Sequence, residues 1–167
     1  LASTKSGTVI CNGYKDREYM RLVLIGQQLG MVPYLVVEKL SELKLIIDEA
    51  HNLGVRPHLG IRIRLASVGR GKWEDTGGEK AKFGLSSAQV LQLLEQLKAA
   101  ELLDCLQLMH FHLGSQIGNI RDIQKALHEA GRYYAELCAL GAMIKILDVG
   151  GGLGIDYDGS RSRHNFS

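Results

Sequence analysis

His58-Leu59-Gly60-Ile61-Arg62-Ile63-Arg64-Leu65 lies within an extended run, Pro57 to Leu65, in which residue type alternates with residue number. Side chains of a strand point to opposite faces in turn, so Leu59, Ile61, Ile63 and Leu65 share one face. His58, Gly60, Arg62 and Arg64 share the other. A later run, Leu106 to Leu113, repeats the pattern, with Gln107, Met109, Phe111 and Leu113 on one face and Leu106, Leu108, His110 and His112 on the other. A central strand of an open α/β sheet is apolar on both faces, because helices cover both. A barrel strand has one face against helices and one toward the axis, with polar groups tolerated near its C-terminal mouth. Arg62, Arg64, His110, His112 and, further on, Asp148 gather at strand ends, which favours the barrel.

Outward from these two runs the chain alternates regularly. Thr8 to Cys11 predicts a strand ending in Asn12-Gly13, and from Asp16 the positions Tyr19, Leu22, Val23, Gly26 and Leu29 follow helical spacing to a stop at Gly30. Tyr34 to Val37 predicts a second strand. Ser41 then caps a helix with Leu43, Ile46, Ile47 and Ala50 inward, closed near Gly54. The polar, glycine-rich stretch from Ser67 to Gly84 is too long for a routine connection and so reads as functional or partly mobile. Ser86 with Gln89 forms a capping box before Val90, Leu94 and Leu97. Ile120, Ile123, Leu127, Ala130, Tyr134 and Leu137 trace a long amphipathic helix ended by Gly141, and Met143 to Val149 is the fifth strand. Such βα alternation, without hairpin signals, predicts a parallel sheet. The expected fold is α/β, a partial (β/α)8 TIM barrel of five strands and four helices, with the missing strands outside this chain.

The 167 residues are 46% hydrophobic and 23% charged, ordinary for a globular protein, and net charge +2 with interspersed signs makes no case for nucleic acid or membrane partners. No apolar run approaches the roughly 18 residues of a membrane span. Cys11, Cys105 and Cys138 are too widely spaced for a Cys-x-x-Cys site, and their odd number argues against a disulfide framework. A cytoplasmic location is the default expectation. The chain opens on Leu1 and ends soon after its last glycines, and is expected to be a fragment.

Chemistry concentrates after the fifth strand, where Asp148-Val149 runs into Gly150-Gly151-Gly152-Leu153-Gly154. Glycines suit a backbone that must turn with positive φ or approach a ligand closely. Successive amides in such a loop can cradle a phosphate; a plain tight turn is the competing explanation. Ile155 stands where a dinucleotide fingerprint needs its third glycine, and no lysine follows Gly154 as a Walker loop requires. His112 ends its strand beside Gly114-Ser115, well placed to touch a planar ligand or to move a proton, though a packing histidine is the commoner finding. His110 and His112 also have the spacing of a two-histidine metal site, with Asp148 as a third ligand; an ion pair of Asp148 with Arg62 or Arg64 is the simpler alternative. The two arginines would serve a phosphate or carboxylate, or neutralise buried acids. Lys82, in Lys80-Ala81-Lys82-Phe83-Gly84, reads by itself as a solvated lysine.

Taken together, His112-Leu113-Gly114-Ser115-Gln116, Asp148-Val149-Gly150-Gly151-Gly152 and Lys82-Phe83-Gly84 resemble the alanine-racemase-like barrel of pyridoxal-phosphate (PLP) decarboxylases for basic amino acids. Cys11-Asn12-Gly13-Tyr14-Lys15-Asp16 and Asn119-Ile120-Arg121-Asp122-Ile123 bring the resemblance closest to the bacterial biosynthetic arginine decarboxylases, and it covers nearly the whole chain.

The resemblance implies conversion of arginine to agmatine and CO2 in polyamine synthesis. His112 would stack on the cofactor ring, Ser115 and Gly150 to Gly152 would hold its phosphate, and Arg62, rather than Arg64, would be the strand arginine near the ring. Asp148, Gly154 and Lys82 would be substrate or loop residues. Residues 1–167 would form the central part of the barrel. The strand with the Schiff-base lysine would precede it, and the acid facing the pyridine nitrogen and a C-terminal β domain would follow. The resemblance further implies a homo-oligomer and, for some members, Mg2+. Alone, the chain is expected to be inactive and to bind PLP weakly. Two other readings stay open: a metal-dependent barrel hydrolase using His110, His112 and Asp148, and a non-catalytic PLP-binding barrel.

Overall fold

The computed structural model describes residues 7–66, 84–114 and 120–152. In chain order the elements are β1 (Thr8–Cys11), α1 (Arg17–Gln28), β2 (Val32–Val37), α2 (Leu40–Leu53), β3 (Leu59–Arg62), α3 (Ser87–Ala99), a 3₁₀ turn (Leu103–Cys105), β4 (Leu106–His110), α4 (Ile120–Ala139) and β5 (Ile146–Asp148). The sheet order is β1-β2-β3-β4-β5, and every neighbouring pair is parallel. A doubly wound sheet reverses its order at a switch point. Here each strand lies beside its predecessor, the winding of a (β/α)8 barrel. The described chain is therefore a half-barrel.

Its two faces are chemically distinct. On the outside, Cys11, Leu35, Val37, Leu59, Ile61, Met109 and Phe111 join one continuous core with apolar residues of all four helices. On the inside, Tyr34, Val36 and Leu108 form a smaller layer flanked by Val32 and Ile146. Gly60 belongs to that inner layer: a Cβ there would lie 2.8 Å from Leu108 Cδ2 and 3.0 Å from Val36 Cγ2. Alanine normally gains up to about 1 kcal/mol over glycine in a strand interior. Both neighbours are fully buried, so overpacking wins. Gly60→Ala is expected to destabilise by about 1–3 kcal/mol, read from urea unfolding.

Several expectations need correction. The capping residue of α2 is Lys39, not Ser41, because the side chain of Glu42 reaches back and accepts the Lys39 amide at 3.3 Å. In α1 the buried stripe is Met20, Val23, Leu24 and Gly26, whereas Tyr19, Leu22 and Leu29 are exposed. An irregularity opposite Leu59/Gly60 sends Leu106 into the outer core and Gln107 toward the Tyr34 hydroxyl, 3.4 Å away, so the alternation expected for this strand begins at Leu108. On α4, Ala126, Ala130 and Leu137 are buried, while Ile120, Leu127 and Tyr134 are exposed. Leu127 and Tyr134 line a groove with Ile146 and Leu147, on the flank where the described sheet ends. The Ser86–Gln89 capping box and the left-handed stop at Gly54 stand where the sequence puts them. Among the described residues no helix is long and apolar enough to cross a membrane.

Candidate functional site

The polar side chains of the inner face collect at the C-terminal ends of the strands, where barrels place their chemistry. Glu38, the first residue past β2, is almost fully buried. Its Oε1 accepts the Gly13 amide at 2.7 Å and Arg62 Nη1 at 3.1 Å, while Oε2 is buried without a hydrogen-bond partner. A buried carboxylate is sustained by pairing, and Arg62 supplies it from the end of β3. One helical turn on, Glu42 accepts the Glu38 amide (2.8 Å) and the Lys15 amide (3.1 Å), and it pairs with the buried Lys15 ammonium at 3.4 Å. Lys15 Nζ also donates to the Gly13 carbonyl. The β1–α1 loop and the β2–α2 turn are thereby fastened into one ledge at the mouth.

Across the mouth, β4 and β5 meet. The buried His110 ring puts Nδ1 3.0 Å from Asp148 Oδ2 and 3.2 Å from the Asp148 carbonyl, and Gly150 N–H donates to Asp148 Oδ1 at 2.9 Å. Asp148 thus pairs with His110, in place of the expected arginine, and Arg62 pairs with Glu38. Gly150 and Gly152 have φ of +70° and +98°, the left-handed region that favours glycine. A Cβ on Gly150 would lie 2.8 Å from the Phe111 carbonyl and 3.0 Å from His112 Nδ1. The glycine loop and the His112 imidazole are therefore in direct apposition. The His112 ring stays exposed. Partial desolvation and the charges of Arg62 and His110 push its pKa below the usual histidine value, against the opposing pull of Asp148. The shift favours the neutral ring, which is suited to lie on a planar ligand. Arg64 is exposed, and its charge is felt by Tyr133 on α4.

Of the residues singled out from sequence, Arg62, His110, His112, Asp148 and Gly150 to Gly152 come to this mouth; Lys82, Ser115 and Gly154 lie outside the described residues. Among the described residues no three His, Cys, Asp or Glu side chains converge to hold a metal ion, which leaves the hydrolase reading without a site. From sequence Glu38 and Glu42 were not singled out, and Lys15 stood only within a motif, with no role of its own. A signal for the first was present: Glu38 follows Val36-Val37 without a break, at the same strand-end position as Arg62 and Asp148.

Comparison with known proteins agrees with this geometry. Residues 2–167 match the family model described as pyridoxal-dependent decarboxylase, pyridoxal binding domain. The biosynthetic arginine decarboxylase of Alkalilimnicola ehrlichii is 64% identical over 157 residues, covering 94% of this chain and 25% of that protein. That of Shewanella piezotolerans is 59% identical over 167 residues, covering 100% and 26%. The chain thus spans about a quarter of the length of these relatives. Among solved structures, the biosynthetic arginine decarboxylase of Campylobacter jejuni superposes with a TM-score of 0.80 at 38% identity, over 92% of this chain and 24% of that one. The diaminopimelate decarboxylase of Helicobacter pylori, complexed with L-lysine, gives 0.72 at 27% identity, over 92% and 38%. With a strand order and a glycine-lined mouth to match, this chain belongs to the pyridoxal-dependent decarboxylases, in the domain of that family that binds pyridoxal.

Proposed function

We propose that the protein carrying this chain decarboxylates arginine to agmatine with PLP, and that residues 1–167 are the central part of its cofactor-binding barrel. The observation that carries the reading is the apposition of His112 to Gly150 at the C-terminal mouth. His112 lies against one face of the pyridine ring, and its lowered pKa keeps it neutral there. Arg62, held by Glu38, sets a fixed positive charge beside that ring. The glycine loop, with Ser115, grips the phosphate. The Gly150 amide is engaged by Asp148, so Gly151 and Gly152 supply the loop's donors. Asp148, Gly154 and Lys82 are assigned to the substrate or the loops, the last two lying outside the described residues. When bound, PLP withdraws the electron pair left at the amino acid's α carbon as CO2 departs. The residues of this chain bind and orient the cofactor; its reactive lysine and the acid at the ring nitrogen are assigned to the rest of the protein.

Arginine as substrate is supported by the two curated relatives described above, both biosynthetic arginine decarboxylases, at 64% and 59% identity. We further assign the full-length protein to a cytosolic homo-oligomer. No ligand set for Mg2+ is found among the described residues. The test is decarboxylation by the full-length protein with PLP, offered arginine, ornithine, lysine and diaminopimelate in parallel. Release of CO2 from arginine alone is the expected result, with no turnover by residues 1–167. Preference for another amino acid would overturn the substrate assignment, and failure to bind PLP would overturn the whole reading.

A further inference from the structure

His110 and Asp148 are in direct contact beneath the glycine loop, with Nδ1 3.0 Å from Oδ2. We propose that they are a positioning pair: His110 fixes Asp148, and Asp148 fixes the first peptide of the phosphate-binding loop. The inference rests on the PLP reading only for the identity of the anion.

The geometry runs in one direction. The carbonyl of Asp148 accepts the Phe111 amide at 3.1 Å, which anchors its backbone to the end of β4. Its two carboxylate oxygens then divide their work, Oδ1 on the Gly150 amide and Oδ2 on His110 Nδ1. Nδ1 faces two acceptors of the same residue, the Asp148 carbonyl and Oδ2, so Nδ1 carries the ring's proton. His110 is buried in the inner face of β4 and cannot swing away.

Such a brace answers two physical needs. Glycine loses more backbone freedom on ordering than any other residue, and Gly150 lacks a side chain to select its own φ of +70°. A carboxylate acceptor two residues upstream, an Asx turn, selects it. That bond fixes the peptide plane between Val149 and Gly150, and with it the direction in which the following amides point. The second need is electrostatic. A carboxylate at the base of a phosphate site repels the dianion, and a donor from His110 draws the charge of Asp148 toward β4, away from the loop.

The test uses the full-length protein freed of cofactor, titrated with PLP and separately with inorganic phosphate, with hydrogen exchange followed at the Gly150–Gly152 amides. Asp148→Ala and His110→Phe are expected to weaken binding of both by about 10- to 100-fold, the range for groups that orient a ligand-holding residue. Loop exchange quickens, while kcat at saturating PLP changes far less than affinity. His110→Gln, which keeps an N–H within reach of Asp148, and Asp148→Asn, which keeps an acceptor for Gly150, should recover much of the loss. A role limited to folding would lower the melting temperature without this pattern of rescue. Unchanged affinity and exchange in Asp148→Ala and His110→Phe would overturn the proposal, as would His110→Gln no better than His110→Phe. If the unaltered protein binds neither PLP nor phosphate, the cofactor reading fails; the brace is then judged by exchange at Gly150, and an unchanged rate in Asp148→Ala refutes it.

Discussion

Alanine at Gly150 is expected to weaken PLP binding by about 100-fold or more, the scale of an ångström-level misplacement at a reacting centre. Two effects add at this position. Alanine resists a φ of +70°, and its methyl carbon would fall 2.8 Å from the Phe111 carbonyl and 3.0 Å from His112 Nδ1. The carbonyl is main chain and cannot turn aside cheaply, so relief comes from moving the loop, tilting His112, or both. Each outcome disturbs one of the two contacts assigned to the cofactor. Gly131→Ala is the matched control. It lies within α4 and a Cβ there meets nothing within 4 Å, so the change should stabilise the protein by about 0.5–1 kcal/mol and leave affinity untouched. Equilibrium titration of the apo-protein with PLP, beside thermal melts, separates the effects. Tight binding by Gly150→Ala would mean that the loop does not hold the phosphate.

How much of this was legible beforehand depended on whether a signal was local. The parity of Leu59–Arg62 and the polar strand ends identified a barrel, and the strand order agrees, because alternation is a property of each strand by itself. The apposition of His112 to Gly150 was expected from motifs alone. The faces of α1 and α4 were harder. Leu22, Leu127 and Tyr134 fit the helical spacing and yet are exposed, because spacing marks an apolar stripe without fixing which of its residues meets a neighbour. Least legible were the long-range pairs. The sequence offered Asp148 two arginines as partners, Arg62 and Arg64, and only register brings His110 level with it instead: His110 is its ladder partner across β4 and β5. Arg62 in turn is aligned with His110 on the other side, yet its guanidinium crosses to Glu38, an acid the spacing did not single out.

Removing Glu42 should cost more stability than any other single change at this mouth, about 3–5 kcal/mol for Glu42→Ala, the range for breaking a buried ion pair. Four donors lose their acceptor together: the amides of Lys15, Glu38 and Lys39, and the ammonium of Lys15. The side chains of Lys15 and Glu42 are 1% and 5% exposed, so water is not at hand to replace the carboxylate. Lys15→Met is the informative partner. It leaves Glu42 with three backbone donors, and its loss should stay below about 2 kcal/mol, that of a single charged hydrogen bond. The asymmetry distinguishes a carboxylate that organises two backbone turns from one that merely neutralises a lysine. Urea unfolding of both single variants and the double variant measures it, and equal losses would mean the ion pair, not the backbone contacts, dominates. The effect should also reach the site. Glu38 and Gly13 stand on the two turns that Glu42 joins, and they fix the oxygen that holds Arg62. Glu42→Ala should therefore weaken PLP binding even below its melting temperature, whereas Lys15→Met, with the turns still joined, should not.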